Sequence, residues 1–496
     1  MKPEDDENKK LTCSEFLNIN IRLWNVVVPA ILSQLLCTAM ETIGMGFVGH
    51  LDDVAKTAGV GLSMTYVNVI CQSTLTGLNN ALTVLVAIAY GQEDLKRCEL
   101  LLSRGRLLCT IFFIPLIFIM LKCEDLLLYF EIEEEVAENA QKFTIYMIPA
   151  MFFHMQFDCY RQYLNATQQS KVVLFAFLTT ILLHFYWCHM LINEWGWDFQ
   201  GAAVAQMITS ALNLLFVMFA TTCCTRITIK PFVFSKRLLS WSSLKEYLSI
   251  SLPSMTMLCS EWWAYEILTI MASMISVPAL GAQTIAYNFY ILMFMFPFGF
   301  QIGSTTCVGN AIGEKNIRLA KIFSRLSVLY SFIIASILAV LIYFYKHEIA
   351  TSYTEDEETV PLLEEALQKM SVAVSLVGIA LALQGSLKAL RKQILSTLIL
   401  ILTLYFISIP TAYNLSIERD MGIGGLWYGF TGGVLIEVFL YGMLVIYTDW
   451  DDVVAISTMR RDSVATVMTT EGNEVGEQQA IRDAGDIKSD EMILQN

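Results

Sequence analysis

GLNNALTVLVAIAYG (residues 77–91) returns 222 positions later as GFQIGSTTCVGNAIG (299–313), with identities at Gly77/Gly299, Thr83/Thr305, Val86/Val308, Ala89/Ala311 and Gly91/Gly313. Apolar helices resemble one another by chance, so the identities alone carry little weight. Their shared setting carries more: each stretch is free of charge and runs directly into a short basic loop. Similar offsets pair Pro29 with Pro253 and Gln169 with Gln393. A chain duplicated with six crossings per repeat keeps both halves in the same orientation.

Working outward from this pair, a helix needs about 20 mostly apolar residues to cross a hydrocarbon core about 30 Å thick. Twelve stretches qualify, at 23–49, 57–90, 104–122, 139–163, 171–193, 200–224, 246–275, 281–312, 325–346, 366–390, 393–414 and 422–448. Composition agrees, since only 16% of the 496 residues are charged, against about 25% in a soluble chain. The net charge of -14 argues against a nucleic-acid partner. Spans this long are helical, because only helices satisfy their backbone groups within one segment in lipid.

Loop charges test the count. Lys and Arg accumulate in short cytoplasmic loops, and 26 of the 32 basic residues fall on one side of the twelve spans. That side carries both termini, which are expected to be cytoplasmic. The other side holds six, Lys56, Lys122, Lys142, Lys346, Lys369 and Arg419, and is otherwise acidic, with Glu131, Glu133, Glu134, Glu135 and Glu138 in one loop and Glu355 to Glu358 in another. On this reading no Lys or Arg lies deep in a span. The expected organisation is a cytoplasmic tail (1–22), a first lobe of six helices (23–224), a basic linker (225–245), a second lobe of six helices (246–450) and a disordered cytoplasmic tail (451–496). The fold class is an all-α membrane protein of twelve transmembrane helices in two six-helix lobes.

Five of the 46 acidic residues remain inside spans: Glu41, Asp158, Glu261, Glu266 and Glu437. A charge at the bilayer centre costs about 2.5–3.5 kcal/mol on insertion scales, which makes each a functional candidate. Asp158 lies three residues before Arg161, and a local i,i+3 pair accounts for it. Glu261 sits near the middle of the seventh span within CSEWWAYE (259–266), beside Trp262, Trp263 and Tyr265; Glu266 is about 140° further round the helix. A carboxylate with aromatic faces suits an organic cation that must shed water. Glu437 lies at midplane in the twelfth span, near Gly432 and Gly433, and Glu41 in the outer half of the first. A desolvated carboxylate must be neutralised, so a proton and a cationic substrate compete for Glu261. With two lobes rocking about that site, the competition is antiport.

The order and spacing of FVGHL (47–51), RQYLNATQQ (161–169), His184, WGWDFQGAAVA (195–205), LPSMTMLCSEWWAYE (252–266), LGAQTIAYN (280–288), VGNAIGEKNIRLAK (308–321) and TDW (448–450) resemble the multidrug and toxic compound extrusion (MATE) family in its eukaryotic branch, over roughly residues 20–452. The resemblance implies export of organic cations or other amphipathic compounds, driven by protons or Na⁺. It also implies a central substrate and proton site at Glu261, with Glu266 at a second acidic position. The chain departs from the pattern where animal members often carry further carboxylates, at Asn288 and near Val377. It departs again at Ala389 and Arg391, where glycines are usual, and at Glu437, which replaces a customary Gln.

The expected site therefore comprises Glu261, Glu266 and Glu437 with Trp262, Trp263, Tyr265, Tyr287 and Asn288, and secondary first-lobe candidates Glu41 and His184. The expected activity is proton-coupled export of organic cations or amphipathic small molecules by a monomer, in a plasma, vacuolar or endolysosomal membrane. Na⁺ coupling and a lipid-flippase type of transport are the alternatives, and Lys or Arg inside spans would favour the second. No HExxH motif occurs and the five histidines are dispersed, so no metal, cofactor or enzymatic activity is expected.

Overall fold

The computed structural model describes residues 12–51, 53–223, 238 and 240–456. Among these there is no strand. Twelve long helices carry the chain: α1 Cys13–Gly49, α2 Val54–Gly91, α3 Leu95–Met120, α4 Glu134–Ala166, α5 Ser170–Glu194, α6 Gln200–Cys223, α7 Trp241–Ser273, α8 Val277–Gly313, α9 Ile317–Phe344, α10 Thr359–Ala389, α11 Gln393–Glu418 and α12 Gly422–Tyr447. Short helices Cys123–Tyr129 and Lys346–Tyr353 precede α4 and α10. Ten of the twelve are long and apolar enough to cross a membrane; α4 and α7 are long enough but more polar. These two carry Asp158, Arg161, Glu261 and Glu266.

Helix α1 starts at Cys13, behind a capping box in which Thr12 and Glu15 satisfy each other's backbone N–H; ten residues assigned to the tail are thus helical. The linker falls mostly outside the described residues, with α7 beginning at Trp241, and the C-terminal tail falls outside them after Ile456. Residues 450–456 are helical and belong to a separate unit.

The halves are built alike. In the first, α2 packs on α4, α4 on α6 and α1 on α5; in the second, α8 packs on α10, α10 on α12 and α7 on α11. Their turns match as well. Glu93 and Lys315 (both φ 60°), Gln168 (60°) and Arg391 (57°), and Asp198 (56°) and Asp420 (55°) occupy the left-handed region at corresponding corners. After the first of these corners Asp94 caps α3 by accepting from Arg97 N (3.1 Å), and Asn316 caps α9 by accepting from Leu319 N (2.9 Å). Arg391 adopts a conformation that glycine holds without strain, which explains the glycine customary there.

Across the seam, α1 packs on α8, α7 on α2, and α2 on α8. A Cβ at Gly91 would collide with the Asn310 carbonyl oxygen and one at Gly313 with that of Ile88; a Cβ at Gly77 would meet Met255 and one at Gly299 would meet Ile31. The four glycines shared by the repeat therefore sit where the halves touch backbone to backbone, a steric reason for the recurrence. Ion pairs tie the same region together at the basic end of the bundle: Arg22 of α1 to Glu314 after α8 (2.5 Å), and Glu246 of α7 to both Arg97 of α3 (3.5 Å) and Arg391 (3.3 Å).

Candidate functional site

A cavity of about 290 Å³ lies inside the second half, between α7, α10, α11 and α12. Glu261 and Glu437 both line it, 8% and 6% exposed, together with Tyr265, Val377, Leu404 and Phe430. Two carboxylates from helices far apart in sequence thus share one apolar chamber. Its aromatic wall is ordered. The Tyr265 ring stacks on Tyr287 at 5.6 Å and packs against Phe430 at 5.4 Å, and its hydroxyl hydrogen-bonds that of Tyr290 at 2.9 Å. A π-helical stretch, Leu402–Ser408, brings Leu404 to the cavity while the Tyr405 hydroxyl donates to the Ser260 carbonyl (2.9 Å). Such bulges re-aim side chains within otherwise regular helices.

Helical periodicity sorts the remaining candidates on α7. Tyr265 lies about 40° from Glu261 around the axis, whereas Trp262, Trp263 and Glu266 are about 100° or more away. Accordingly, Glu266 is half-buried beside Tyr287 and outside the cavity. Trp262 does not line it, and Trp263 is 46% exposed and donates across the seam to the Val69 carbonyl of α2 (3.2 Å). Asn288 is exposed. The expected cluster therefore contracts to Glu261, Glu437 and Tyr265, with Tyr287 behind.

A second correction concerns Lys388. Loop charges count it to the cytoplasmic side, at the end of its span, yet Lys388 sits in the last turn of α10, is 5% exposed and lies within electrostatic reach of Glu261. Side chains tilt toward the N-terminus of their helix, so a lysine in the last turn projects back into the bundle. Arg106 and Arg161, likewise counted to the cytoplasmic side at the ends of their spans, are buried as well. Arg106 donates to Gln156 Oε1 (2.8 Å) and Tyr160 Oη (3.2 Å), and Arg161 pairs with Asp158 (2.5 Å), the i,i+3 pair expected from their spacing.

The first half holds a larger cavity, about 440 Å³, lined by Glu41, Asn68, Gln72, His154, Gln206 and Ser210 among methionines. Asn68 and Gln72 bound a π-helical turn in α2, and Gln72 lines the cavity with Glu41. His184 is elsewhere. Buried at 1% exposure, it hydrogen-bonds the Thr209 hydroxyl (2.9 Å) and contacts the Cys188 thiol (3.6 Å), as a satisfied core residue. Among the described residues no group of three or more His, Cys, Asp or Glu side chains is arranged to hold a metal ion.

Sequence reading missed Gln72, Gln206 and the polar face of α4. Asp158, Arg161, Gln162 and Asn165, all buried, follow the i, i+3, i+4, i+7 pattern that marks one helix face.

Comparison with known proteins accords with this architecture. The MatE family model matches twice, at residues 29–190 and 253–414, once in each half and together well over half of the chain. The chain is 29% identical to multidrug and toxin extrusion protein 1 of Danio rerio over 440 residues, covering 87% of this chain and 72% of that protein. It is 27% identical to protein DETOXIFICATION 16 of Arabidopsis thaliana, covering 88% and 90%. The crystal structure of the eukaryotic MATE transporter AtDTX14 shares the fold, with a TM-score of 0.85, 21% identity and coverage of 90% of this chain and 99% of that one. With its apolar helices and its two matched halves, the chain is a multi-pass membrane protein that belongs to the MatE family.

Proposed function

We propose that this chain is a proton-coupled antiporter that exports organic cations or related amphipathic molecules by alternating access. The observation that carries the reading is the pairing of Glu261 and Glu437 in one apolar chamber walled by Tyr265 and Phe430. Buried carboxylates are tolerated only when neutralised; Lys388 lies within electrostatic reach of Glu261 but forms no ion pair with it, which leaves two further neutralising agents, a proton and a cation whose apolar body packs on the rings. Similarity to a relative named for multidrug and toxin extrusion supports the direction and the breadth of substrate. The clear space in the chamber is no larger than about one water, far short of what a drug-sized ligand fills, so cargo enters a wider state of the cycle than this one. The termini are assigned to the cytoplasm by the loop charges, and the working unit is one chain.

The buried Arg161 and Lys388 favour a second reading, transport of a lipid-like amphipath along a basic groove. They line a chamber between the halves, not the acidic aromatic cavity, and the cation reading accounts for both carboxylates. Uptake of a fluorescent organic cation into proteoliposomes, with proton and Na⁺ gradients imposed separately, tests the proposal. A proton gradient alone drives uptake, and Glu261→Gln abolishes it; full uptake by that variant overturns the assignment, and a requirement for Na⁺ overturns the coupling.

A further inference from the structure

A third chamber, about 370 Å³, lies on the seam itself. The first half contributes Thr83 of α2 and Arg161 and Gln162 of α4, and the second half contributes Gln301 of α8 and Lys388 of α10. Its lining side chains are polar except for Phe298 and Ile302, both of its charged groups are cationic, and no carboxylate lines it.

The two cations differ in their circumstances. Arg161 is satisfied: it donates to Asp158 through Nε (2.8 Å), pairs with it through a second nitrogen (2.5 Å), and hydrogen-bonds Gln34. Lys388 has no such partner. Only 5% exposed, its ammonium makes no hydrogen bond or ion pair among the described residues. The carboxylate within electrostatic reach, Glu261, lines the other cavity. An ammonium buried without a hydrogen-bonded counter-charge costs several kcal/mol, so a neutralising occupant belongs beside it.

The amide groups nearby complete the argument. The Gln162 carbonyl oxygen accepts from the Thr83 hydroxyl (2.5 Å), which leaves the Gln162 NH₂ as its remaining polar group. Gln301 donates one amide hydrogen to Gln384 and retains the other. Donors therefore come from both halves. The clear space admits one or two occupants the size of water, which suits a single halide and is too small for phosphate, a carboxylic acid or a lipid headgroup.

We propose that this seam chamber binds one small monovalent anion of halide size, held by the Lys388 ammonium of the second half and by amide donors of both. An anion bridging the two halves stabilises the arrangement in which their basic ends are closed together, because it binds that arrangement better than one in which the halves separate.

The test uses the purified full chain in detergent, unfolded by heat in sodium chloride, sodium bromide or sodium gluconate at equal ionic strength. The native protein unfolds about 2 °C or more higher in either halide than in gluconate. Lys388→Gln loses the difference and Lys388→Arg keeps it. Because the glutamine variant could fail to fold, crystals of the native protein grown in bromide provide a second readout, an anomalous peak beside Lys388 Nζ. Equal stability of the native protein in all three salts, a full halide response in Lys388→Gln, or bromide crystals with only water in the chamber overturns the proposal.

Discussion

The two halves share a scaffold and differ in chemistry. Packing order, left-handed corners, helix caps and seam glycines recur about 222 residues apart, yet the buried acids do not. The family matches begin at Pro29 and Pro253; in that register Glu261 falls opposite Cys37 and Glu41 opposite Tyr265. The second half therefore presents two carboxylates to an aromatic chamber, whereas the first presents one carboxylate to amides, a histidine and methionines. Duplication fixes what the backbone requires, and each half is then free to specialise.

The largest expected effect separates the two acids. Glu261→Gln weakens binding of an organic cation about ten- to a hundredfold, the loss of a charge-assisted contact of about 1.5–3 kcal/mol, and abolishes gradient-driven uptake. Glu41→Gln leaves binding within about threefold, as read by equilibrium titration of a fluorescent cation. Equal losses would mean that the halves are functionally equivalent and end the comparison.

Next comes the seam. Gly91→Ala pushes a methyl group into the Asn310 backbone and destabilises the protein by about 1–3 kcal/mol, measured by thermal or denaturant unfolding. Gly46→Ala, where nothing lies within 4 Å, is neutral or stabilising by about 0.5–1 kcal/mol. A similar cost at both sites would deny that the repeated glycines owe their place to contact between halves.

Glu246→Gln breaks the pair to Arg97 that crosses the seam and the pair to Arg391 within the second half. The three side chains are 19%, 7% and 12% exposed, so about 1–2 kcal/mol is expected after allowing for partial screening. Glu314→Gln, from a pair 25% and 36% exposed, costs less and loses its effect in high salt. Unfolding both variants at low and high ionic strength ranks them.

The smallest effect concerns the acidic end. His347 hydrogen-bonds Glu364 (2.7 Å), and that hydrogen bond and the carboxylate charge hold its imidazole above the ordinary value of 6.5. A base raised in the folded state contributes stability that is complete below the unfolded value and lost as pH rises through the folded one. The native protein therefore gains on Glu364→Gln as pH falls from about 8 to 6. At the acidic end of the first half, Glu138 pairs with Lys142 one turn on in α4 (2.8 Å), and Glu138→Gln shows no pH dependence over that range, since lysine does not titrate there.

Much of this was legible before the coordinates. Each apolar stretch maps onto one long helix, the Asp158–Arg161 pair follows from spacing, and Glu261 and Glu437 stood out by their depth. The depth of Lys388 and the polar seam did not follow, for a physical reason. Hydropathy reads position along the chain, whereas burial depends on the direction a side chain takes, and a lysine in a terminal turn points back along its helix. Trp263 and Asn288 were grouped with Glu261 by proximity and by resemblance, although the 100° step per residue already sets Trp263 on the opposite face of α7.

The central claim is that cargo and proton compete for the same buried carboxylate. Proton release measured in weakly buffered solution as the purified protein binds an organic cation tests it most directly. The native protein is expected to release protons in proportion to cation bound, and Glu261→Gln to release fewer; binding by the native protein with no proton release would contradict the account.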